Sequence, residues 1–230
     1  MWIITSAWTA STRVALPGGT DTFLQNTITD SNTFAGLFYG NTGLTDASGL
    51  LLPATTLAKS CYAGMFQNCT ELTNAPALPA TTLAESCYEG MFIGCANLTT
   101  APELPATTLA LSCYQNMFYD CASLTNAPSL PATTLAGSCY ESMFKSCTSL
   151  TTAPELPATT LAQYCYSSMF NGCSKLSAVT CLAANISATD CTTDWLEGVA
   201  ISGTFTKASS MMSWETGASG IPSGWTIANY

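Results

Sequence analysis

The chain has 230 residues, with 5 Lys plus Arg against 14 Asp plus Glu, no His, and a net charge of -9. Its cations, Arg13, Lys59, Lys145, Lys175 and Lys207, stand far apart, which excludes the clustered basic stripe that nucleic acid or an anionic membrane surface requires. The lack of His removes His-based triads and His-dependent zinc sites, and no apolar run is long enough to span a bilayer.

The opening Met1-Trp2-Ile3-Ile4 has no basic region followed by a long apolar stretch, so it does not read as a secretory leader. Residues 1–33 are expected to form an N-terminal cap. From residue 34 the chain repeats. Met-Phe pairs begin at Met65, Met91, Met117, Met143 and Met169, each 26 residues after the last, with degenerate copies at Leu37-Phe38 and Trp195-Leu196. A fixed period of this size predicts a solenoid over residues 34–202, in which each unit buries its apolar face only against its neighbours.

Within one unit, Cys87, Met91 and Cys95 recur every four residues, with Tyr88 and Phe92 beside them. That spacing predicts a short amphipathic helix. Thr82-Leu83-Ala84-Glu85 matches a capping box, and Asn68, Gly94 and Gly172 suit the left-handed end of such a helix. Leu98 to Ala101 reads as a very short parallel strand ended by Pro102 and Pro105. The expected fold class is therefore α/β, a solenoid with short parallel strands on one face and short helices on the other. Residues 203–230, which hold Trp214 and Trp225, read as a C-terminal cap.

The order Met91-Phe92, Cys95, Leu98 and Leu104-Pro105, repeated in the other copies, resembles the BspA-type leucine-rich repeats of bacterial surface proteins. It also resembles a related bacterial family whose repeats carry a Met-Phe motif. The resemblance covers residues 34–199. It departs in unit length, with Pro102 as the apparent insertion, and in placing Cys87 where the family has Ile or Leu. The closing Gly220-Ile221-Pro222-Ser223-Gly224-Trp225 is similar to the end of repeat proteins from gut Bacteroidetes and their phages. The resemblance implies a leucine-rich-repeat-like solenoid of 26-residue coils and a surface or adhesion role.

No phosphate-cradling glycine loop occurs, no carboxylate pair stands out as an acid/base couple, and no cofactor or metal is expected. The 12 Cys include five pairs spaced eight residues apart, too distant on a helix for one disulfide or one metal, so they read as buried ladders of apolar thiols. Cys181 and Cys191 break that spacing, and a disulfide between them stays open. The expected ligand face is the outward row Thr73, Asn74, Thr99, Thr100, Thr125, Asn126, Thr151 and Thr152, with Glu103, Ser129 and Glu155 changing from coil to coil. Trp214 and Trp225 read either as cap packing or as an aromatic platform. These features lead us to expect a non-enzymatic recognition or adhesion protein, extracellular or on a cell or virion surface, that binds a glycan or protein there. The rival expectation is a structural or intracellular protein-interaction scaffold.

Overall fold

The structure is a computed structural model that describes residues 26–212 and 214–230. Residues 1–25, with Trp2, Trp8 and most of the expected N-terminal cap, lie outside the described residues.

The expected helices are not there. Among the described residues no helix occurs, and the named strands are three: β1 (Ala178–Cys181), β2 (Thr204–Lys207) and β3 (Thr226–Asn229). They form one parallel sheet in the order β1-β2-β3, with Val179 opposite Phe205 and Phe205 opposite Ile227. The α/β leucine-rich-repeat-like solenoid is thus overturned as a fold class.

The physical reason lies in where the backbone donors go. From Ser86 to Gly94, the N–H groups of Ser86, Tyr88, Gly90, Phe92 and Gly94 donate to Leu111, Cys113, Gln115, Met117 and Tyr119, at 2.8–3.0 Å. The donors between them (Cys87, Glu89, Met91, Ile93 and Cys95) reach back three residues, to Ala84, Ser86, Tyr88, Gly90 and Phe92. A helix would have sent every N–H four residues back within its own segment. Here the segment is a ribbon of consecutive four-residue turns, and half its donors are spent on the next repeat.

Each turn closes on a left-handed residue: Ser86 (φ 54°), Gly90 (59°) and Gly94 (68°), then Ser112, Asn116 and Asp120 in the following copy. Left-handed backbone costs an ordinary L-residue roughly 1–2 kcal/mol, while Gly, Asn and Asp enter it most readily. A period of four apolar residues therefore has two solutions, and the Gly, Ser, Asn or Asp at this position in all but one quartet selects the turn, Tyr164 (φ 55°) being the departure. A lone helix of this length would also be marginal. Thr82 caps nothing; it bridges Thr56 and Thr108 in parallel, and Glu85 pairs with Lys59 one copy back, at 2.7 Å.

The remaining part of each repeat is held by isolated parallel bridges. One series runs Asp46, Asn74, Thr100 and Asn126; another runs Thr27, Thr56, Thr82, Thr108 and Thr134. The short strand expected at Leu98 to Ala101 is reduced to the single bridge at Thr100. Pro76, Pro79 and their equivalents lack the N–H that would extend the ladder.

The core lies beneath the ribbon as columns of identical side chains. Tyr62, Tyr88, Tyr114, Tyr140 and Tyr166 stack face to face at 5.6–6.1 Å. Phe66, Phe92, Phe118, Phe144 and Phe170 stack at 5.4–5.6 Å. Both columns are almost wholly buried, together with the Met, Leu and Cys columns beside them. The Cys95, Cys121 and Cys147 thiols donate to the carbonyls of Phe66, Phe92 and Phe118, each at 3.1 Å. At the C-terminal side the Trp195 ring continues the tyrosine stack, 6.3 Å from Tyr166, and Trp214 stacks on it at 5.4 Å with Phe205 edge-on to both.

Candidate functional site

Two surfaces flank this core. The first carries the residues singled out from the sequence. Thr73, Asn74, Thr99, Thr100, Thr125, Asn126, Thr151 and Thr152 are all exposed. Part of their hydrogen-bonding capacity is used internally. The Thr73 hydroxyl donates to the Thr45 carbonyl at 2.8 Å and that of Thr125 to Thr99 at 3.2 Å, while the Asn74 and Asn126 amides donate to the neighbouring Thr hydroxyls. Asp46 heads this row, and hydrogen bonds from the Ser48 side chain and backbone hold its carboxyl below the usual value.

Glu103, Ser129 and Glu155 are exposed as well, and the Ser129 hydroxyl lies 3.5 Å from a Glu103 oxygen. Ser129 and Glu155 share the rim of a shallow depression of about 530 Å³ whose walls include Pro128, Pro131, Pro154 and Pro157. Trp214 and Trp225 stand apart from this face. They are only 9% and 7% exposed, and the Trp225 indole donates to the Ala200 carbonyl at 2.8 Å. Both pack into the core rather than presenting an open aromatic platform.

The second surface is the outer side of the turn ribbon, which sequence reasoning assigned to a helix and passed over. In each turn the residue just before the left-handed position points away from the core and changes identity between repeats. One column reads Lys59, Glu85, Leu111, Gly137 and Gln163. The next reads Ala63, Glu89, Gln115, Glu141 and Ser167, and the third Gln67, Ile93, Tyr119, Lys145 and Asn171. None of these is buried, whereas Cys, Tyr, Met, Phe and Cys between them are the same in all five copies. The signal was present in the sequence as variability at a four-residue step.

The thiols offer no reactive site. All twelve Cys are free and buried, so Cys181 and Cys191 form no disulfide. Burial pushes Cys61 and Cys69 up to about 11 and Cys113, Cys165, Cys173 and Cys181 up to about 12. At neutral pH burial holds such a thiol in its protonated form, which is a poor nucleophile. Among the described residues no group of three or more His, Cys, Asp or Glu is placed to hold a metal ion, and no helix is long and apolar enough to cross a membrane.

No family model matches the chain, and no curated protein matches it. Among solved structures the chain is similar to a leucine-rich repeat protein of T. pallidum, at 15% identity and a TM-score of 0.41, over 78% of this chain and 70% of that one. Likeness at that level does not establish membership. With no helix among the described residues and only short parallel strands, the resemblance to BspA-type leucine-rich repeats, and the leucine-rich-repeat solenoid description with it, is corrected.

Proposed function

We propose that this chain is a non-enzymatic recognition protein that holds a glycan or protein of a cell or virion surface, and that it works outside the cell. The observation that supports this most is the exposed, in-register row of Thr and Asn, whose members are bridged from one copy to the next at Asn74, Thr100 and Asn126. Stacked parallel segments repeat at roughly 5 Å, so the row offers hydroxyls and amides at a fixed short interval. Such a row suits multivalent hydrogen bonding to a polar ligand. The Pro-walled depression beside it gives a place where one ligand group could settle between Ser129 and Glu155. The chain's lack of His and its protonated, buried thiols favour binding over catalysis.

The test is a four-site replacement, Asn74, Thr100, Asn126 and Thr152 to Lys. The variant is checked by circular dichroism for an unchanged spectrum and then assayed on host cells and a glycan panel. Loss of binding is the expected result. Unchanged binding by the folded variant removes this face.

A second reading, an intracellular interaction scaffold, is favoured by one observation: twelve cysteines without a disulfide suit a reducing compartment. Copurification with a cytosolic complex would support it over the first.

A further inference from the structure

The outer side of the turn ribbon has a different chemistry from the Thr and Asn row. A near-uniform row suits a ligand that itself repeats, because each copy offers a Thr and then either a Thr or an Asn. The ribbon columns differ at each step, so together they can define a single, non-repeating epitope on a rigid frame.

The chemistry of that epitope is concentrated in the three middle copies. Leu111, 52% exposed, reaches over Gly137; a Cβ added there would meet the Leu111 Cδ1 at 3.2 Å. Ile93 lies over Gly90 in the same way, its Cδ1 occupying the place a Cβ would need. Tyr119 sits in the next copy from Ile93, with the Lys145 ammonium 5.9 Å from its ring centroid. The column holding Glu89, Gln115 and Glu141 runs between the Leu111 side and the Ile93-Tyr119 side. Glu89, Glu141 and exposed Asp120 form no ion pair among the described residues, whereas Glu85 is already matched by Lys59. The patch therefore carries apolar groups on two sides of an acidic middle, with one cation drawn onto an aromatic ring.

We infer that this ribbon face is a protein-binding surface for a polypeptide segment in which a basic residue is flanked by apolar side chains. The cation would lie between Glu89 and Glu141, and the apolar flanks would cover Leu111 on one side and Ile93 with Tyr119 on the other. That arrangement is what protein interfaces favour: apolar anchors supply affinity, and complementary charge sets specificity and association rate. The inference is independent of the Thr and Asn face and stands or falls separately.

The experiment uses the full chain and two immobilised peptide sets. In one, Lys or Arg is flanked by Leu, Phe or Trp; in the other, Glu replaces the basic residue. The wild-type chain should retain the basic set by about tenfold over the acidic set, with a preference that weakens as salt is raised. Leu111→Ser should lower retention of the basic set by about tenfold, as loss of a central anchor does. The pair Glu89→Lys and Glu141→Lys should invert the preference, and the milder Glu89→Gln with Glu141→Gln should abolish it. Circular dichroism confirms that each variant is folded. Equal retention of the two sets, retention of neither, or an unchanged preference in the folded charge-reversed or neutralised variant overturns the inference.

Discussion

The turn ribbon and the bridge face belong to the same repeats yet hold themselves together differently. In the ribbon, alternate donors are shared between a local turn and the next copy, so every residue from Ser86 to Cys95 has its N–H satisfied. On the bridge face, prolines interrupt the ladder and leave single bridges at Asn74, Thr82, Thr100 and Thr108. The fully buried aromatic and Met columns lie under the ribbon. Stability is thus concentrated where the backbone is cross-linked at alternate residues, and the bridge face is carried by that frame.

The largest expected effect breaks the frame itself. Phe118 is fully buried and stacks between Phe92 and Phe144 at 5.5 and 5.6 Å. Phe118→Ala should destabilise by about 3–5 kcal/mol, as a core aromatic deletion does, read from the midpoint of denaturant unfolding. The same deletion at a bridge-face position such as Thr108 should cost far less, and comparable losses at both would remove the contrast.

A sharper test asks whether the ribbon is made of turns. Ser142 has a φ of 53°. Ser142→Val should destabilise by roughly 1–2 kcal/mol, because a β-branched residue resists the left-handed region. Ser142→Gly should be neutral or stabilising, since Gly enters that region freely. In a helix interior the sign for Gly would reverse. A Gly variant that melts earlier than wild type would therefore contradict the turn geometry.

The thiol columns give a pH signature. In the unfolded chain a cysteine titrates near its ordinary value of 9.0, while burial raises Cys61 and Cys69 to about 11 and Cys113 and Cys173 to about 12. Between these values the folded chain keeps protons that the unfolded chain has lost, so stability falls as pH rises. Stability should be insensitive to thiol titration below about pH 8 and decline steadily from pH 9 to 11. Denaturation curves at stepped pH, with a Cys87→Ala and Cys113→Ala variant showing a shallower decline, would check it.

The smallest effect falls on the exposed rim. The Lys59-Glu85 pair spans two copies at 2.7 Å, but its side chains are 56% and 45% exposed. Glu85→Gln should change stability by no more than about 1 kcal/mol. A larger loss would mean that the rim contributes to the frame after all.

The residues themselves carried much of this. The period of 26, the buried columns at Cys, Tyr, Met and Phe, the outward Thr and Asn row and the burial of both cysteine series were legible in the identities alone. The left-handed positions were legible too, since Ser60, Gly64 and Asn68 recur as Ser, Gly, Asn or Asp in most copies, but the apolar spacing drew the reading toward a helix. The ribbon columns were missed for the same reason: on a helix, Leu111, Gln115 and Tyr119 are ordinary solvated positions.

What only the tertiary structure decided was the destination of the backbone donors. A four-residue apolar period is compatible with a helix or with a chain of turns, because either can place Cys87, Met91 and Cys95 on one side. The choice depends on whether a second backbone lies within hydrogen-bond reach, and here the copy 26 residues on supplies carbonyls to every other N–H. A sequence states that the repeats are alike; it does not state that they will share their main-chain hydrogen bonds. Neighbouring copies in register make the turn ribbon the better-satisfied solution, and with it the grid of variable side chains on its outer face.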